Sequence, residues 1–224
     1  YINVGELETY RWYASQVDST WILGENPRWD DHYYVDAREE GWRSLLLEEV
    51  VPRIMSKGYR GLFLDMVDTA LPGLYPETQQ GMIVLIEHIR DRFPGAVLLM
   101  NHGFFLADRV DHAIDGVFAE GVFTEYHFER ETYRRAPKRD QRTRLNALLR
   151  FERTYDLDAF AINYASSRDT DLRRYARRRS RETGIRSFTS TLALDTVPHP
   201  RGLVSDARCL GAGEGSSPRL QSDR

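Results

Sequence analysis

Gly58-Tyr59-Arg60-Gly61-Leu62-Phe63-Leu64-Asp65-Met66-Val67-Asp68-Thr69 is an apolar run that stops abruptly at a carboxylate, with a second carboxylate three residues on. Gly58 and Gly61 punctuate its start, and Pro72-Gly73 closes the loop that follows. A short apolar run between turn signals predicts a buried strand. Strand side chains alternate faces, so Phe63, Asp65 and Val67 share one face and Leu62 and Leu64 the other. Both faces stay apolar until Asp65, as in a parallel sheet covered by helices. Ligands bind such sheets at the carboxyl ends of the strands. Asp65 stands at that end, either as a chemical group or as a cap on the next loop.

The same pattern recurs outward from this run. Tyr1 to Glu6 alternates and ends in an acid. Tyr33 to Asp36, Ala96 to Asn101, Gly116 to Glu120, Ala159 to Tyr164 and Arg186 to Leu192 read as further strands. Between them, Glu40 to Ser56, Gln79 to Phe93, Asp140 to Tyr155 and Asp169 to Thr183 carry helical spacing, with Phe105 to Val110 as a short helix. Pro52 lies inside the first of these and predicts a kink. The basic run Arg173 to Arg181 reads as a solvated helix face.

Alternating strands and helices predict an α/β fold with a parallel sheet. A doubly wound open sheet and a closed barrel compete. No Gly-x-Gly-x-x-Gly turn follows a strand, so a dinucleotide fold lacks its signature. Acids and amides at the ends of nearly every strand would converge on one mouth in a (β/α)8 TIM-type barrel. The seven strand candidates fall one short of that barrel, so its first strand or strands are expected upstream of Tyr1.

The 224 residues suit one domain, with 41% hydrophobic and 12% aromatic residues. We expect the barrel domain over residues 1–197 and a disordered tail over 198–224, where Gly, Ser, Pro and Arg lose all periodicity. A net charge of -3 offers nucleic acid no basic field. No apolar run is long enough to span a membrane. Cys209 is the single cysteine, which rules out an internal disulfide.

Glu6, Asp36, Asp65, Asp68, Asn101, Glu120 and Tyr164 all fall at or just past expected strand ends. Two carboxylates facing each other across a cleft are the minimum for glycoside hydrolysis. Surrounding aromatics such as Trp12 and Trp42 are candidate sugar platforms, though core packing is the commoner use. Metal-dependent hydrolysis is the rival use of an acidic cluster, but the six histidines show no ligand spacing. We expect no metal and no cofactor. A Ser nucleophile lacks its Gly-x-Ser-x-Gly elbow.

These stretches also resemble a known family. Tyr1 to Glu6 (Tyr-Ile-Asn-Val-Gly-Glu), Gly61 to Thr69 (Gly-Leu-Phe-Leu-Asp-Met-Val-Asp-Thr), the strand end at Asn101 and Val117 to Glu120 (Val-Phe-Ala-Glu) are similar to glycoside hydrolase family 114. Its members include endo-α-1,4-polygalactosaminidases. The resemblance runs from Tyr1 to about Leu194 and implies a (β/α)8 barrel. It implies Asp65 as nucleophile and Glu120 as general acid/base of a retaining reaction. Glu6, Asp68, Asn101 and Tyr164 would then line the sugar subsites; Asp36, from its own strand-end position, is expected to bind substrate beside them. An acid often precedes the family's Tyr-Ala pair, where this chain has Asn163. The implied substrate is a galactosamine-containing polysaccharide; where deacetylated it is a polycation, which Glu8, Asp36, Asp68 and Glu125 would attract. A monomer working outside the cell or in the periplasm is the matching expectation. A carbohydrate-binding barrel without turnover is the alternative.

Overall fold

The computed structural model describes residues 1–194; the expected tail over 198–224 lies outside the described residues. Ile2–Asn3 (β1) opens the chain. Glu6–Glu8 (β2), Ile22–Glu25 (β3) and His32–Val35 (β4) follow, then Glu40–Leu45 (α1) and Val51–Met55 (α2). Next come Gly61–Asp65 (β5), Gln79–Arg92 (α3), Val97–Asn101 (β6), Ala107–Val110 (α4) and Gly116–Glu120 (β7). Thr124–His127 (β8) and Thr132–Arg135 (β9) form a hairpin. Lys138–Tyr155 (α5), Asp158–Tyr164 (β10), Thr170–Thr183 (α6) and Arg186–Ser190 (β11) complete the described chain.

Six strands make one sheet in the order β1-β5-β6-β7-β10-β11, and every pairing is parallel. Spatial order therefore equals chain order. A doubly wound sheet reverses direction at a switch point, and this sheet never does. Each strand is added on the same side of the last, which is the winding of a (β/α)8 barrel. The described residues supply six of its eight strands. Leu62, Leu64, Leu98, Met100, Val117, Ala119, Ala159 and Ala161 are buried against the helices. The opposite face carries Phe63, Phe118 and Phe160, whose rings meet at 5.2 and 4.8 Å.

Two expected strands are corrected. Tyr1 to Glu6 is not one strand: Ile2–Asn3 joins the parallel sheet, whereas Glu6–Glu8 joins a three-stranded antiparallel sheet, β2-β4-β3. Gly5 is the breaking point. A side chain there would collide with the Met66 carbonyl and Thr69, so the backbone passes close and turns away. The Asn3 side chain secures the turn by accepting the Glu6 amide hydrogen at 2.8 Å. Tyr33 to Asp36, read as a barrel strand, pairs antiparallel with β2 and β3 instead. Alternation shows that a strand exists but does not say which sheet it joins.

The expected helix over Glu40 to Ser56 is interrupted where Pro52 requires it. A π-helical turn, Leu46–Val50, separates α1 from α2, and Pro52 sits in the first turn of α2. Proline lacks an N–H and crowds the carbonyl four residues back, and a local wide turn relieves both. The stripe of α3 is buried as expected, through Met82, Leu85, Ile86 and Ile89. In α6 only Leu172 and Ala176 are buried, and Asp169 caps its first turn through the Leu172 amide. The arginines of this helix are therefore largely its solvent side.

Candidate active site

Three adjacent strands end in the same way. Asp65 ends β5 and Met66 follows at φ 59°; Asn101 ends β6 and His102 follows at φ 56°; Glu120 ends β7 and Gly121 follows at φ 63°. Left-handed backbone is uncommon for Met and His and costs on the order of 1–3 kcal/mol. Hydrogen bonds hold each turn. The Met66 amide donates to Asp65 Oδ1 at 2.8 Å, the His102 amide to the Phe118 carbonyl at 2.8 Å and the Gly121 amide to the Ile162 carbonyl at 2.8 Å. Each turn bends the chain off the sheet directly after its polar residue, which stays at the rim.

Register then brings the side chains together. Leu64 pairs with Met100, so Asp65 and Asn101 lie side by side on one face. Asn101 pairs with Phe118, which places Glu120 one pleat further up the same face. Glu120 pairs with Ile162, and Tyr164 lies one pleat beyond that. The Asn101 amide nitrogen donates to Asp65 Oδ1 at 2.8 Å and to Glu120 Oε1 at 2.9 Å. Tyr164 donates its hydroxyl hydrogen to Glu120 Oε2 at 2.7 Å. Both acceptors of Asn101 are carboxylates, which fixes the amide orientation. Its Oδ1 is left buried without a partner among the described residues.

Tyr1 stands beside Asp65, and partial burial of its phenol, together with the Asp65 charge, pushes its pKa well above that of a free tyrosine. Burial does the same to Tyr164, with Glu120 adding to it. Among the described residues no Arg, Lys or His makes a salt bridge with Asp65 or Glu120. The hydrogen bonds that these two acids accept all come from neutral groups.

The other sequence-derived candidates stand apart from this network to different degrees. Asp68 lies in the 3-10 turn Val67–Ala70 and accepts the Gly103 amide hydrogen at 3.0 Å. Burial pushes its carboxyl up, and His102 and the Gly103 amide pull it part of the way back. Glu6 is 1% exposed; Asn26 donates to its Oε1, and His32 approaches Oε2 at 3.3 Å. Burial pushes its carboxyl up as well, against the opposing hydrogen bond from Asn26. Asp36 follows β4 and is gripped by Arg38, at 2.6 Å between its Oδ2 and the guanidinium. Burial raises its carboxyl, but the Arg38 bonds outweigh this and the net direction is down. The structure does not bring Asp36 to the network around Asn101.

Two expectations about the surroundings change. Of the four acids expected to form an attracting field, Glu8 is paired with Arg11, Asp36 with Arg38, and Glu125 with Arg134 and Arg144. Asp68 alone has no such partner among the described residues. Trp42 is completely buried and donates its indole hydrogen to the Val4 carbonyl at 3.0 Å, so it belongs to the core. Trp12 is exposed, and Arg53 stacks over its ring at 4.3 Å.

Three residues at the site had no assigned role. Tyr1 reads as the start of a strand, although an aromatic ahead of a rim strand is a weak signal. His102 Nε2 accepts the Glu120 amide hydrogen at 3.2 Å, which places its own proton on Nδ1. Its position directly after Asn101 was the available signal. Asn163 Oδ1 accepts the Phe123 amide hydrogen at 2.8 Å and that of Thr124 at 3.4 Å. An acid at this position would accept the same two bonds, so the amide retains the structural function. Among the described residues no group of three or more His, Cys, Asp or Glu is placed to hold a metal, and no helix is long and apolar enough to cross a membrane.

Comparison with known proteins agrees with this geometry. The glycoside hydrolase domain of PelA from Pseudomonas aeruginosa superposes with a TM-score of 0.77 at 23% identity, over 88% of this chain and 79% of that domain. The structure of Aspergillus fumigatus Ega3 in complex with galactosamine superposes with a TM-score of 0.67 at 14% identity, over 87% of this chain and 74% of that one. At these identities the likeness shows the fold. No curated protein sequence matches the chain. The family profile described as glycoside-hydrolase family GH114 matches residues 1–203. With its two rim carboxylates joined through one amide and that profile spanning nearly all of its length, the chain belongs to glycoside hydrolase family GH114 and is a glycosidase.

Proposed function

We propose that this protein hydrolyses α-1,4-linked galactosamine-containing polysaccharide with retention of anomeric configuration, as a monomer acting outside the cytoplasm. The observation that carries the reading is the shared Asn101 amide. Its nitrogen reaches Asp65 and Glu120 at 2.8 and 2.9 Å. Two acceptors on one amide nitrogen, one per hydrogen, lie about 5 Å apart. Carboxyl groups roughly 5–5.5 Å apart suit retention, whereas inversion needs roughly 6.5–9.5 Å to admit a water.

In the proposed reaction Asp65 attacks the anomeric carbon while Glu120 gives its proton to the leaving glycosidic oxygen. A glycosyl ester on Asp65 results. Glu120, now ionised, takes a proton from water as that water attacks the same carbon, and Asp65 is released. Two donors converge on the Asp65 carboxylate, the Met66 amide and Asn101, with the Tyr1 phenol beside them. They orient it and offset its charge without neutralising it. Tyr164 orients Glu120 through the oxygen that Asn101 does not hold. Glu6 and Asp68 are proposed as subsite residues on the family pattern, and Asp36 from its place just past a strand end, with the least support because Arg38 holds it.

Galactosamine is proposed on two grounds. The Ega3 structure, of the same fold, is a complex with galactosamine. Asp65, which must be ionised to attack and has no arginine beside it, gives the mouth a negative charge that suits a sugar bearing an ammonium group. The test is incubation of the full-length protein with de-N-acetylated galactosamine polymer, with the anomer first released followed by proton NMR. Release of the α-anomer is expected. Release of the β-anomer would replace retention by inversion, and binding without any cleavage would favour a carbohydrate-binding role.

A further inference from the structure

Two excursions leave the parallel sheet at its carboxyl edge: the antiparallel sheet after β1 and the β8–β9 hairpin after β7. Between β1 and β7 run β5 and β6, which carry Asp65 and Asn101. The tips of the excursions meet through aromatic rings. Trp29, in the turn between β3 and β4, contacts Phe128, in the turn between β8 and β9, edge to face at 5.6 Å. The row continues on both sides. Trp29 stacks on His32 at 6.1 Å, and Tyr10 lies 6.0 Å from the same imidazole. On the hairpin, Phe128 meets Tyr126 at 5.2 Å. Tyr10, Trp29 and Phe128 nevertheless remain 65%, 42% and 45% exposed.

We propose that the row Tyr10, Trp29, Phe128 and Tyr126 is a second carbohydrate-binding stretch, taking ammonium-bearing sugar units of the polymer beyond the bond that is cleaved. This rests on the hydrolase reading given above. Core packing does not account for the row, because large rings left this open keep much apolar surface in water. Sugar rings stack on such faces, and an ammonium group is drawn to the negative face of an aromatic ring. Hydrogen bonds and ion pairs set the rings of the row in place: Glu6 lies 3.3 Å from the His32 ring, and Glu8, paired with Arg11, accepts the Tyr10 hydroxyl hydrogen at 2.7 Å. The row is continuous with the catalytic rim. The Asn3 side chain holds the Glu6 amide, and Asn3 pairs with Asp65 across the sheet. A polymer lying over Asp65 and Glu120 has this surface next along its path.

Affinity electrophoresis through gels containing de-N-acetylated galactosamine polymer reads the row without requiring turnover. Retardation of the parent is expected, with Trp29→Ala weakening the apparent affinity by about tenfold. Trp29→Tyr restores most of the retardation, and Trp29→Leu, which keeps apolar bulk without a π face, does not. In turnover assays the Trp29→Ala change falls on KM for the polymer rather than on kcat. Phe128→Ala, from the other excursion, repeats the effect should Trp29→Ala fold poorly by circular dichroism. Equal retardation of the parent, Trp29→Ala and Phe128→Ala overturns the proposal and leaves the hydrolase reading standing. Retardation that depends on Trp29 in a parent unable to cleave upholds the row and overturns the hydrolase reading.

Discussion

The carboxylates of the parallel-sheet rim and those of the antiparallel excursions are held by different kinds of partner. At the rim, Asp65 and Glu120 receive hydrogen bonds from an amide, a phenol and a backbone N–H. In the excursions and just after them, Glu8, Asp36 and Glu125 are each bound by arginine. A guanidinium cancels a carboxylate's charge and fixes its position. Neutral donors fix the position and leave the charge to act. The difference separates acids that can do chemistry from acids that hold a loop together.

The strongest way to break this comparison is to neutralise one acid of each kind. Asp65→Asn and Glu120→Gln keep the shape and most of the hydrogen-bond geometry, and each should lower kcat/KM on the polymer by about 10³-fold or more. Glu125→Gln, whose native partners are Arg134 and Arg144, should cost less than about tenfold. Steady-state kinetics on the same polymer decides. Equal losses in all three variants would dissolve the distinction.

Asn101 tests the neutral-donor half alone. Asn101→Asp would place a third carboxylate between two others, where like charges repel. A loss of about 10²-fold at neutral pH is expected, easing as the pH falls and the new acid takes up a proton. Asn101→Ala removes both hydrogen bonds without adding charge, and its loss should stay flat over the same pH range. Matching pH–rate profiles for the two variants would show that Asn101 acts by packing rather than by donating to both acids.

Much of the rim could be read from the sequence because each strand there announces itself separately. The apolar runs before Asp65, Asn101 and Glu120 mark the strands, and the abrupt polar ending marks the rim. Chain order alone could not give the bridging by Asn101, because it depends on register and stagger between strands distant in sequence. The excursions were harder to read. Tyr33 to Asp36 alternates like a barrel strand, and only the pairing with Glu6–Glu8 reveals a second sheet. Thr124–His127 and Thr132–Arg135 are too polar for the apolar-run signal, so the hairpin went unpredicted. Pro52 predicted a break in its helix, and the π-helical turn before it is the form that break takes.

Glu6 lies between the two kinds, buried in an excursion yet partnered by Asn26 and His32 rather than arginine. Burial raises its carboxyl above the ordinary glutamate value. The folded chain therefore keeps this proton to higher pH than the unfolded chain does. As pH rises from the unfolded value through the raised folded one, the fold binds more protons, and stability falls. Glu6→Gln should remove that slope. Urea unfolding of parent and variant at several pH values from about 4 to 7 would show it, the variant gaining relative stability as pH rises. A constant difference across the series would mean that Glu6 is not held in its protonated form by burial.

The smallest effect is expected at Asp36. Its Oδ1 accepts the Arg38 amide hydrogen at 2.9 Å, closing a tight turn ahead of α1, and its carboxylate meets a guanidinium whose side chain is 49% exposed. An ion pair that open to water contributes roughly 0.2–1 kcal/mol. Asp36→Ala should therefore lower stability by about 1 kcal/mol with the lost turn bond included, and shift kcat/KM by no more than about twofold. Asp36→Asn should recover the turn part, since its side-chain oxygen can still accept the Arg38 amide hydrogen. Arg38→Ala sharpens the comparison further, because it converts Asp36 into an acid without a cation beside it. An increase in polymer affinity in Arg38→Ala that vanishes in the double variant with Asp36→Ala would show that arginine pairing keeps this acid from the substrate. A drop in kcat/KM beyond tenfold for Asp36→Ala alone would place it at the sugar despite Arg38, and partner type would no longer separate the two sets of acids.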